Sequence, residues 1–168
     1  MTPKEFVKTY LPYALASQKK TGIHAEVTLT QAALESAWGK AAPGFMFFGV
    51  KDTDGINGNE QLITTTEYSR RADLKFPVII SITPVVKGGV KMFKYIVKDY
   101  FRKYNTPEEC FTDHGNFYLK NKRYAKALLV KDNPEAFIDA IAAAGYATAP
   151  DYAKQLKAVL KTVQRSMK

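Results

Sequence analysis

TLTQAALESAWGKAAPGFMFFGVK, residues 28–51, is the stretch of sequence that decides the fold. Thr28 and Gln31 have the spacing of a capping box, in which each side chain satisfies a free backbone N–H at the start of a helix. Small residues then recur at helical spacing, and Gly39 is a typical left-handed helix stop. The stretch therefore predicts a short, closely packed helix followed by a loop over residues 41–47.

One acidic residue, Glu35, lies within this apolar helix. On a helix, Gln31 and Trp38 would share its face, because they lie four residues before it and three residues after it. A carboxyl beside an indole loses hydration, and lost hydration raises its pKa toward the range of a general acid. The pattern suggests a proton donor, although a lone glutamate on a helix is also an ordinary solvated surface residue.

The motifs QAALESAWG and FFGVKD resemble those of glycoside hydrolase family 73, the bacterial peptidoglycan N-acetylglucosaminidases. The likeness continues in order through TTEY, FRKYNTPEECFTDHGNF, NKRYA and AGYATAPDYAKQL, and so covers nearly the whole chain. The family includes autolysins, phage lysins and flagellar muramidases. The resemblance implies hydrolysis of the β-1,4 bond between N-acetylglucosamine and N-acetylmuramic acid, with no cofactor and no metal.

The resemblance and the order of the predicted elements indicate an α+β, lysozyme-like fold. Helices are expected over residues 1–47 and 105–168, and a small antiparallel β-lobe with a long hairpin over residues 48–104. The two lobes are expected to form one catalytic domain, residues 1–168, and to flank a cleft.

Cap and turn signals predict where individual elements begin and end. Residues 2–5, TPKE, open the first helix with an N-cap, a proline and a capping-box acid. Thr21 and Gly22 are expected to close that helix. Pro12 lies inside the first helical pattern and predicts a kink or a break.

The β-lobe is predicted from β-forming residues and turn dipeptides. Residues 61–68, QLITTTEY, are rich in β-formers. Two longer strands, residues 74–86 and 90–104, are expected on either side of the turn at Lys87-Gly88-Gly89. Pro77 and Pro84 disfavour continuous pairing of the first of these strands as a central strand.

The resemblance assigns catalytic roles to Glu35, Glu67 and Tyr124. Glu35 is the general acid that protonates the leaving oxygen. Glu67, in TTEY, is the second carboxylate, which activates water or stabilises the oxocarbenium-like transition state. The residue pattern alone, without the family resemblance, predicts only an exposed glutamate on a strand. Tyr124 lies near the scissile bond, or is simply a core tyrosine. The sequence leaves open whether the reaction retains or inverts the configuration at the anomeric carbon. It also leaves open whether the substrate's own acetamido group acts as the nucleophile.

The residues expected to bind substrate are mostly aromatic, because a flat apolar ring matches the C–H face of a sugar. Trp38 is expected to form a hydrophobic wall beside Glu35, and Gly49 to allow close approach of the backbone. The predicted substrate-binding residues are Trp38, Phe48, Gly49, Lys51, Tyr68, Tyr146 and Tyr152.

Composition limits the possible partners. The chain has 168 residues and a formal net charge of +9, which favours an anionic partner such as a cell wall or a nucleic acid. The positive residues are scattered and no nucleic-acid-binding motif is present. No apolar run is long enough to cross a membrane. We expect peptidoglycan glycan strands as the partner, no nucleic acid, no membrane insertion and a monomer.

The expected place of action is the bacterial cell wall, outside the cytoplasm. The sequence begins without the apolar region of a secretory signal peptide. A phage or prophage lysin made in the cytoplasm would explain this, and so would removal of an N-terminal segment.

Other functional classes fit less of the sequence. A non-catalytic cell-wall-binding module fits the basic charge and the aromatic residues. A zinc amidase needs several ligands, whereas the chain has two histidines and no HExxH or CxxC motif. Cys110, four residues before His114, suggests a cysteine peptidase, but a buried free cysteine on a helix is ordinary.

Overall fold

The computed structural model describes all residues, 1–168, and divides into two compact units. One unit comprises Met1–Phe48 and Tyr104–Lys168 and is helical; the other comprises Gly49–Lys103 and contains the only sheet. This mixed α+β architecture confirms the predicted fold class.

The helical unit contains six helices and two short 3-10 turns. The turns are Pro43–Phe45 and Lys122–Tyr124. The helices are α1 (Pro3–Thr21), α2 (Ala25–Glu35), α3 (Pro107–Lys120), α4 (Ala125–Leu128), α5 (Pro134–Ala143) and α6 (Tyr152–Ser166). None of them is both long and apolar enough to cross a membrane.

Helix α1 begins and ends where the sequence predicts. The Thr2 hydroxyl accepts the Glu5 backbone N–H, and the Glu5 carboxylate accepts the Thr2 backbone N–H. The helix ends at Gly22, which adopts a left-handed φ of 76°. A single helix runs through Pro12, so the predicted break there is wrong, while the alternative prediction of a kink is not tested. Residues on both sides of the proline are buried in the same core, and this packing outweighs the lost backbone hydrogen bond.

Helix α2 differs most from its prediction. Its N-cap is His24, whose Nδ1 accepts the Glu26 backbone N–H at 3.2 Å. The predicted capping box of Thr28 and Gln31 is therefore wrong, and both residues lie inside the helix. The helix ends at Glu35 rather than near residue 39, because the chain leaves the helical conformation directly after Ser36.

Two buried apolar clusters form the core of the helical unit, and α2 contributes to both. The first contains residues of α1, α2 and α3, among them Phe6, Leu29 and Phe111. The second contains residues of α2, α3, α5 and α6, among them Val27, Tyr118 and Leu156. Since apolar burial is the main stabilising term, this double contact fixes α2 and the residue at its C-terminal end.

The sheet is antiparallel, with strand order β1-β3-β2. Strand β1 is Glu60–Ser69, β2 is Val78–Lys87 and β3 is Val90–Arg102. The predicted hairpin turn is confirmed, because Gly88 and Gly89 adopt φ values of 58° and 76° between β2 and β3. Strand β2 starts four residues later than predicted and lies at an edge, where Pro84 is tolerated.

A prediction concerns Gly115 of α3. A Cβ atom at this position would lie 2.7 Å from the Thr21 hydroxyl, which already hydrogen-bonds to Ser17. We expect Gly115→Ala to lower the free energy of unfolding by roughly 1–3 kcal/mol, since overpacking outweighs the better helix propensity of alanine. Urea unfolding measures it, with the exposed Leu119→Ala on the same helix as the control. A stabilised Gly115→Ala variant would contradict the close approach of α1 and α3.

Candidate active site

Glu35 is the last residue of α2, and its carboxyl meets two tyrosines. The hydroxyls of Tyr146 and Tyr152 both donate to the same oxygen, Oε1, at 3.1 and 3.2 Å. The other oxygen, Oε2, accepts neither of these bonds. The carboxyl therefore has one oxygen occupied by protein donors and one available to a ligand.

The two tyrosines come from one short segment between α5 and α6. Gly145, with φ of 83°, turns the chain after α5, and Tyr152 is the first residue of α6. Their rings stack with centroids 5.5 Å apart and planes 14° apart. Tyr152 is buried and Tyr146 is half-buried, so the pair forms a firm aromatic surface next to Glu35.

Loss of hydration changes the acidity of Glu35. The side chain still reaches solvent, but the surrounding protein atoms raise its pKa from the ordinary value of 4.5 to about 7. The hydroxyl donors of Tyr146 and Tyr152 act in the opposite direction and lower the pKa, although by less. Burial also raises the pKa values of both tyrosines above their ordinary range, so they stay protonated and remain donors.

A second layer of polar side chains supports Tyr152. The Gln31 amide nitrogen donates to the Tyr152 hydroxyl at 3.2 Å. The Gln31 amide oxygen accepts the Tyr118 hydroxyl at 2.8 Å and faces His114 Nε2 at 3.0 Å. In this orientation of the amide each donor meets an acceptor, so His114 Nε2 carries the hydrogen.

His114 is a neutral, buried histidine. Burial lowers its pKa to about 3, so the ring is uncharged at neutral pH. The ring stacks on Phe48 with centroids 3.7 Å apart and planes 10° apart. Phe48, predicted to contact substrate, thus lies against the histidine that holds Gln31.

The other predicted carboxylate, Glu67, belongs to the sheet unit. Its Oε1 lies 2.9 Å from Lys51 Nζ, and Asp99 Oδ2 lies 3.2 Å from the same ammonium. The pKa of Lys51 is raised, first by its hydrogen bond to Glu67, so the lysine stays charged. The structure therefore brings together Glu67 and Lys51, both predicted site residues, and adds Asp99.

Tyr68 does not belong to this group. Neighbouring residues of a strand point to opposite faces of a sheet, so Tyr68 faces away from Glu67. It is 41% exposed, and Lys87 Nζ lies 3.7 Å from the centre of its ring.

The predicted helical face of Gln31, Glu35 and Trp38 is wrong for the tryptophan. Ala37 and Trp38 adopt left-handed φ values of 50° and 58°, so Trp38 is not on the helix. Its indole packs edge-on against Phe6, with ring centroids 5.6 Å apart. A role for Trp38 in substrate binding stays a prediction.

Tyr124 and Gly49 differ in their surroundings. Tyr124 is 2% exposed, and its ring lies 6.4 Å from that of Tyr146; its catalytic role stays a prediction. Gly49 has φ of 58°, and a Cβ there would meet no atom within 4 Å. The backbone conformation therefore favours glycine here, and close approach of a ligand to this backbone stays a prediction.

Cysteine and metal chemistry find little support in the geometry. Burial raises the pKa of the Cys110 thiol to about 12, so the thiolate that a cysteine nucleophile needs is not formed at neutral pH. No group of three or more His, Cys, Asp or Glu side chains is placed to hold a metal ion.

Sequence reasoning missed the supporting roles of Gln31, His114 and Tyr118. The available signal was a pair of helical spacings: Gln31 lies four residues before Glu35, and His114 four residues before Tyr118. Each spacing places two polar side chains on one helix face, but neither shows that the two faces meet.

The sequence and the structure both match known proteins. Residues 11–165 match the glucosaminidase family, described as mannosyl-glycoprotein endo-beta-N-acetylglucosaminidase. Peptidoglycan hydrolase FlgJ of Pseudomonas aeruginosa is 32% identical over 95% of this chain and 36% of its own length. Exo-glucosaminidase LytG of Bacillus subtilis is 29% identical over 93% of this chain and 50% of its own.

A solved structure agrees with these sequence matches. The glycoside hydrolase domain from Salmonella typhimurium FlgJ is similar with a TM-score of 0.75 and 28% identity, covering 99% of this chain and 91% of that one. The chain spans between about a third and a half of the length of the two curated relatives above. The similarity is thus to the hydrolase domain, over nearly its whole length.

The hydrogen bond from Tyr152 generates a prediction about acidity. Because the hydroxyl stabilises the Glu35 carboxylate, its removal in Tyr152→Phe should raise the Glu35 pKa further above about 7. The measurement is an NMR titration of ¹³C-labelled glutamate side chains, with the Glu35 signal assigned from Glu35→Gln.

Tyr13→Phe is the control, because Tyr13 is an exposed residue of α1. This variant should leave the pKa of Glu35 unchanged. A Glu35 pKa that is unchanged or lowered in Tyr152→Phe would contradict the assigned direction of the hydrogen bond.

Proposed function

The chain belongs to the glucosaminidase family of glycoside hydrolases, and from this we propose that it hydrolyses bacterial peptidoglycan. The proposed bond is the β-1,4 linkage between N-acetylglucosamine and N-acetylmuramic acid. The observation that carries the proposal is the Glu35 carboxyl, with a pKa of about 7 and both tyrosine donors on a single oxygen.

Glu35 is the proposed general acid. A sugar alkoxide is a poor leaving group, so the glycosidic oxygen must be protonated as its bond to the anomeric carbon breaks. A carboxyl with a pKa near 7 is still protonated in about half of the molecules at neutral pH and remains acidic enough to give up its proton. With Oε1 occupied by the tyrosines, Oε2 is the oxygen that presents this proton.

Glu67 is the proposed second carboxylate. As the bond breaks, positive charge develops at the anomeric carbon and ring oxygen, and a nearby carboxylate stabilises it or activates the attacking water. The side chain of Glu67 is 32% exposed, enough to meet a ligand, while Lys51 holds its position through the ion pair.

The proposed substrate contacts combine aromatic rings and charge. The half-buried ring of Tyr146, stacked on the buried ring of Tyr152, lies beside the proposed acid and is the proposed aromatic contact for a sugar. The net charge of +9 favours association with an anionic cell wall, the proposed place of action. Trp38, Phe48, Gly49, Lys51, Tyr68 and Tyr124 keep their proposed roles at the site.

The acid role predicts the effect of Glu35→Gln. Glutamine has nearly the same shape but cannot donate a proton to the leaving oxygen, so we expect hydrolysis to fall by roughly 10²–10⁴-fold. The measurement is release of reducing sugars from purified peptidoglycan, with mass analysis of the new chain ends. Glu108→Gln, at an exposed ion pair of α3, is the control.

The same experiment separates an enzyme from a wall-binding module. Wall binding by Glu35→Gln should equal that of the unaltered chain, because only proton transfer is lost. Hydrolysis that stays within about tenfold of the unaltered rate would remove Glu35 from the acid role. No hydrolysis by the unaltered chain, with wall binding intact, would favour the binding module.

The role of Glu67 is tested by Glu67→Ala with added azide. If its carboxylate meets the anomeric carbon, azide should enter the vacated space, restore part of the lost rate and give a glycosyl azide product. Asp99→Ala is a matched control, because Asp99 binds the same Lys51 ammonium. Little loss of rate in Glu67→Ala, or equal losses in both variants without azide rescue, would leave Glu67 as a partner of Lys51 only.

A further inference from the structure

We propose that Gln31 is a positioning residue whose amide, oriented by His114 and Tyr118, directs the Tyr152 hydrogen bond onto Glu35 Oε1 and so leaves the acid proton on Oε2. The inference rests on the proposed function, since it concerns how the proposed acid is prepared. It adds three residues that do not touch the substrate or the reacting atoms but set the direction of a hydrogen bond at the acid.

The Gln31 amide is fully buried and uses both of its ends. Its side chain belongs to a residue with 0% exposure in the middle of α2. Its oxygen accepts from Tyr118 and His114, at 2.8 and 3.0 Å, while its nitrogen donates to Tyr152 at 3.2 Å. A buried amide with three partners is held in one orientation, because rotation would require His114 to change its tautomer and Tyr118 to reverse its hydroxyl.

That orientation decides what Tyr152 can do. A phenol has one hydrogen to donate. Because its oxygen already accepts the Gln31 N–H, the Tyr152 hydrogen is available to Glu35. If the amide rotated by half a turn, its oxygen would face Tyr152, attract that hydrogen and remove one donor from Glu35 Oε1. The two oxygens of Glu35 would then compete more evenly for the acid proton.

Two donors hold the amide oxygen, where one would satisfy it. Burial keeps the His114 ring neutral, so it carries a single N–H, and in the tautomer with that hydrogen on Nε2 it donates to Gln31. Phe48 fixes the plane of the ring. Tyr118 is also fully buried and its pKa is raised, so it remains a phenol. Either donor alone should keep the amide in its orientation, and loss of both should release it.

The surroundings of Glu35 contain few other groups that could explain a change in its titration. The titratable groups that interact electrostatically with it are Tyr146 after α5, Tyr152 on α6, and Tyr118 and Cys110 on α3. All four have raised pKa values and stay uncharged near neutral pH. Helix α1 supplies no group that shifts the Glu35 pKa.

Because either donor alone should hold the Gln31 amide oxygen, we compare the variants His114→Phe and Tyr118→Phe with the double variant. Both changes keep an aromatic ring in place, between Phe48 and Phe117 for residue 114. We expect each single variant to keep kcat within about threefold, and the double variant to lose at least about tenfold more than the product of the two singles, as coupled residues do.

A second readout separates positioning from packing. In the double variant the Glu35 pKa, followed by ¹³C NMR, and the alkaline limb of the kcat profile should both move to higher pH, because Glu35 has lost a donor. Neither should move in the single variants. A merely structural role would lower the thermal unfolding temperature without moving either pH readout.

Gln31→Met covers the case in which the double variant does not fold. It removes, at similar volume, the N–H that fixes and polarises the Tyr152 hydroxyl, so it should raise the Glu35 pKa and lower kcat as the double variant does. The changes should be smaller, because no amide oxygen is left to attract the Tyr152 hydrogen. Multiplicative losses in the double variant, or an unchanged Glu35 pKa in Gln31→Met, would overturn the proposal. The NMR titration needs no substrate, so it tests the positioning role of Gln31 even if the proposed function is wrong. The proposed function is tested separately, by the hydrolysis assay of Glu35→Gln.

Discussion

The carboxyl of Glu35, partly desolvated by surrounding protein although the residue is exposed, is the constraint on which the site depends. Taking a carboxyl away from water makes its charged form costly, and this raises its pKa. Two phenol donors on one oxygen recover part of that cost. A carboxyl with more hydration would be ionised at neutral pH, and one with fewer donors would hold its proton too tightly. The balance near a pKa of about 7 suits proton transfer in both directions.

The end of α2 contributes to this balance. The helix stops at Glu35 because Ala37 and Trp38 leave the helical region with positive φ values, a conformation that costs of order 1 kcal/mol or more for each non-glycine residue. Packing of the indole on Phe6 helps to offset that cost. A helix C-terminus carries partial negative charge, which further disfavours a carboxylate. The strained residues Ala37 and Trp38 thus lie directly after Glu35, the residue proposed to act as a neutral acid.

The sequence revealed short-range features more completely than long-range ones. The α1 capping box and the Gly88-Gly89 turn depend on neighbouring residues and were predicted correctly. The end of α2 was not, because tertiary packing stopped the helix before its glycine. The partners of Glu35 lie 111 and 117 residues away in the chain, and no periodic pattern connects them. Only the family motifs marked those tyrosines, and nothing marked the Gln31 contact with His114.

The polar network also explains why one residue should dominate the acid-base behaviour of the site. His114 is kept neutral by burial, and the four other ionisable groups around Glu35 have raised pKa values. Near neutral pH each of these groups therefore keeps a fixed protonation state and a fixed role as donor or acceptor. Glu35 is the member of the network that changes charge in this range. A network with one titrating member can hold its geometry while the proton leaves and returns, because no other side chain has to reverse its hydrogen bond.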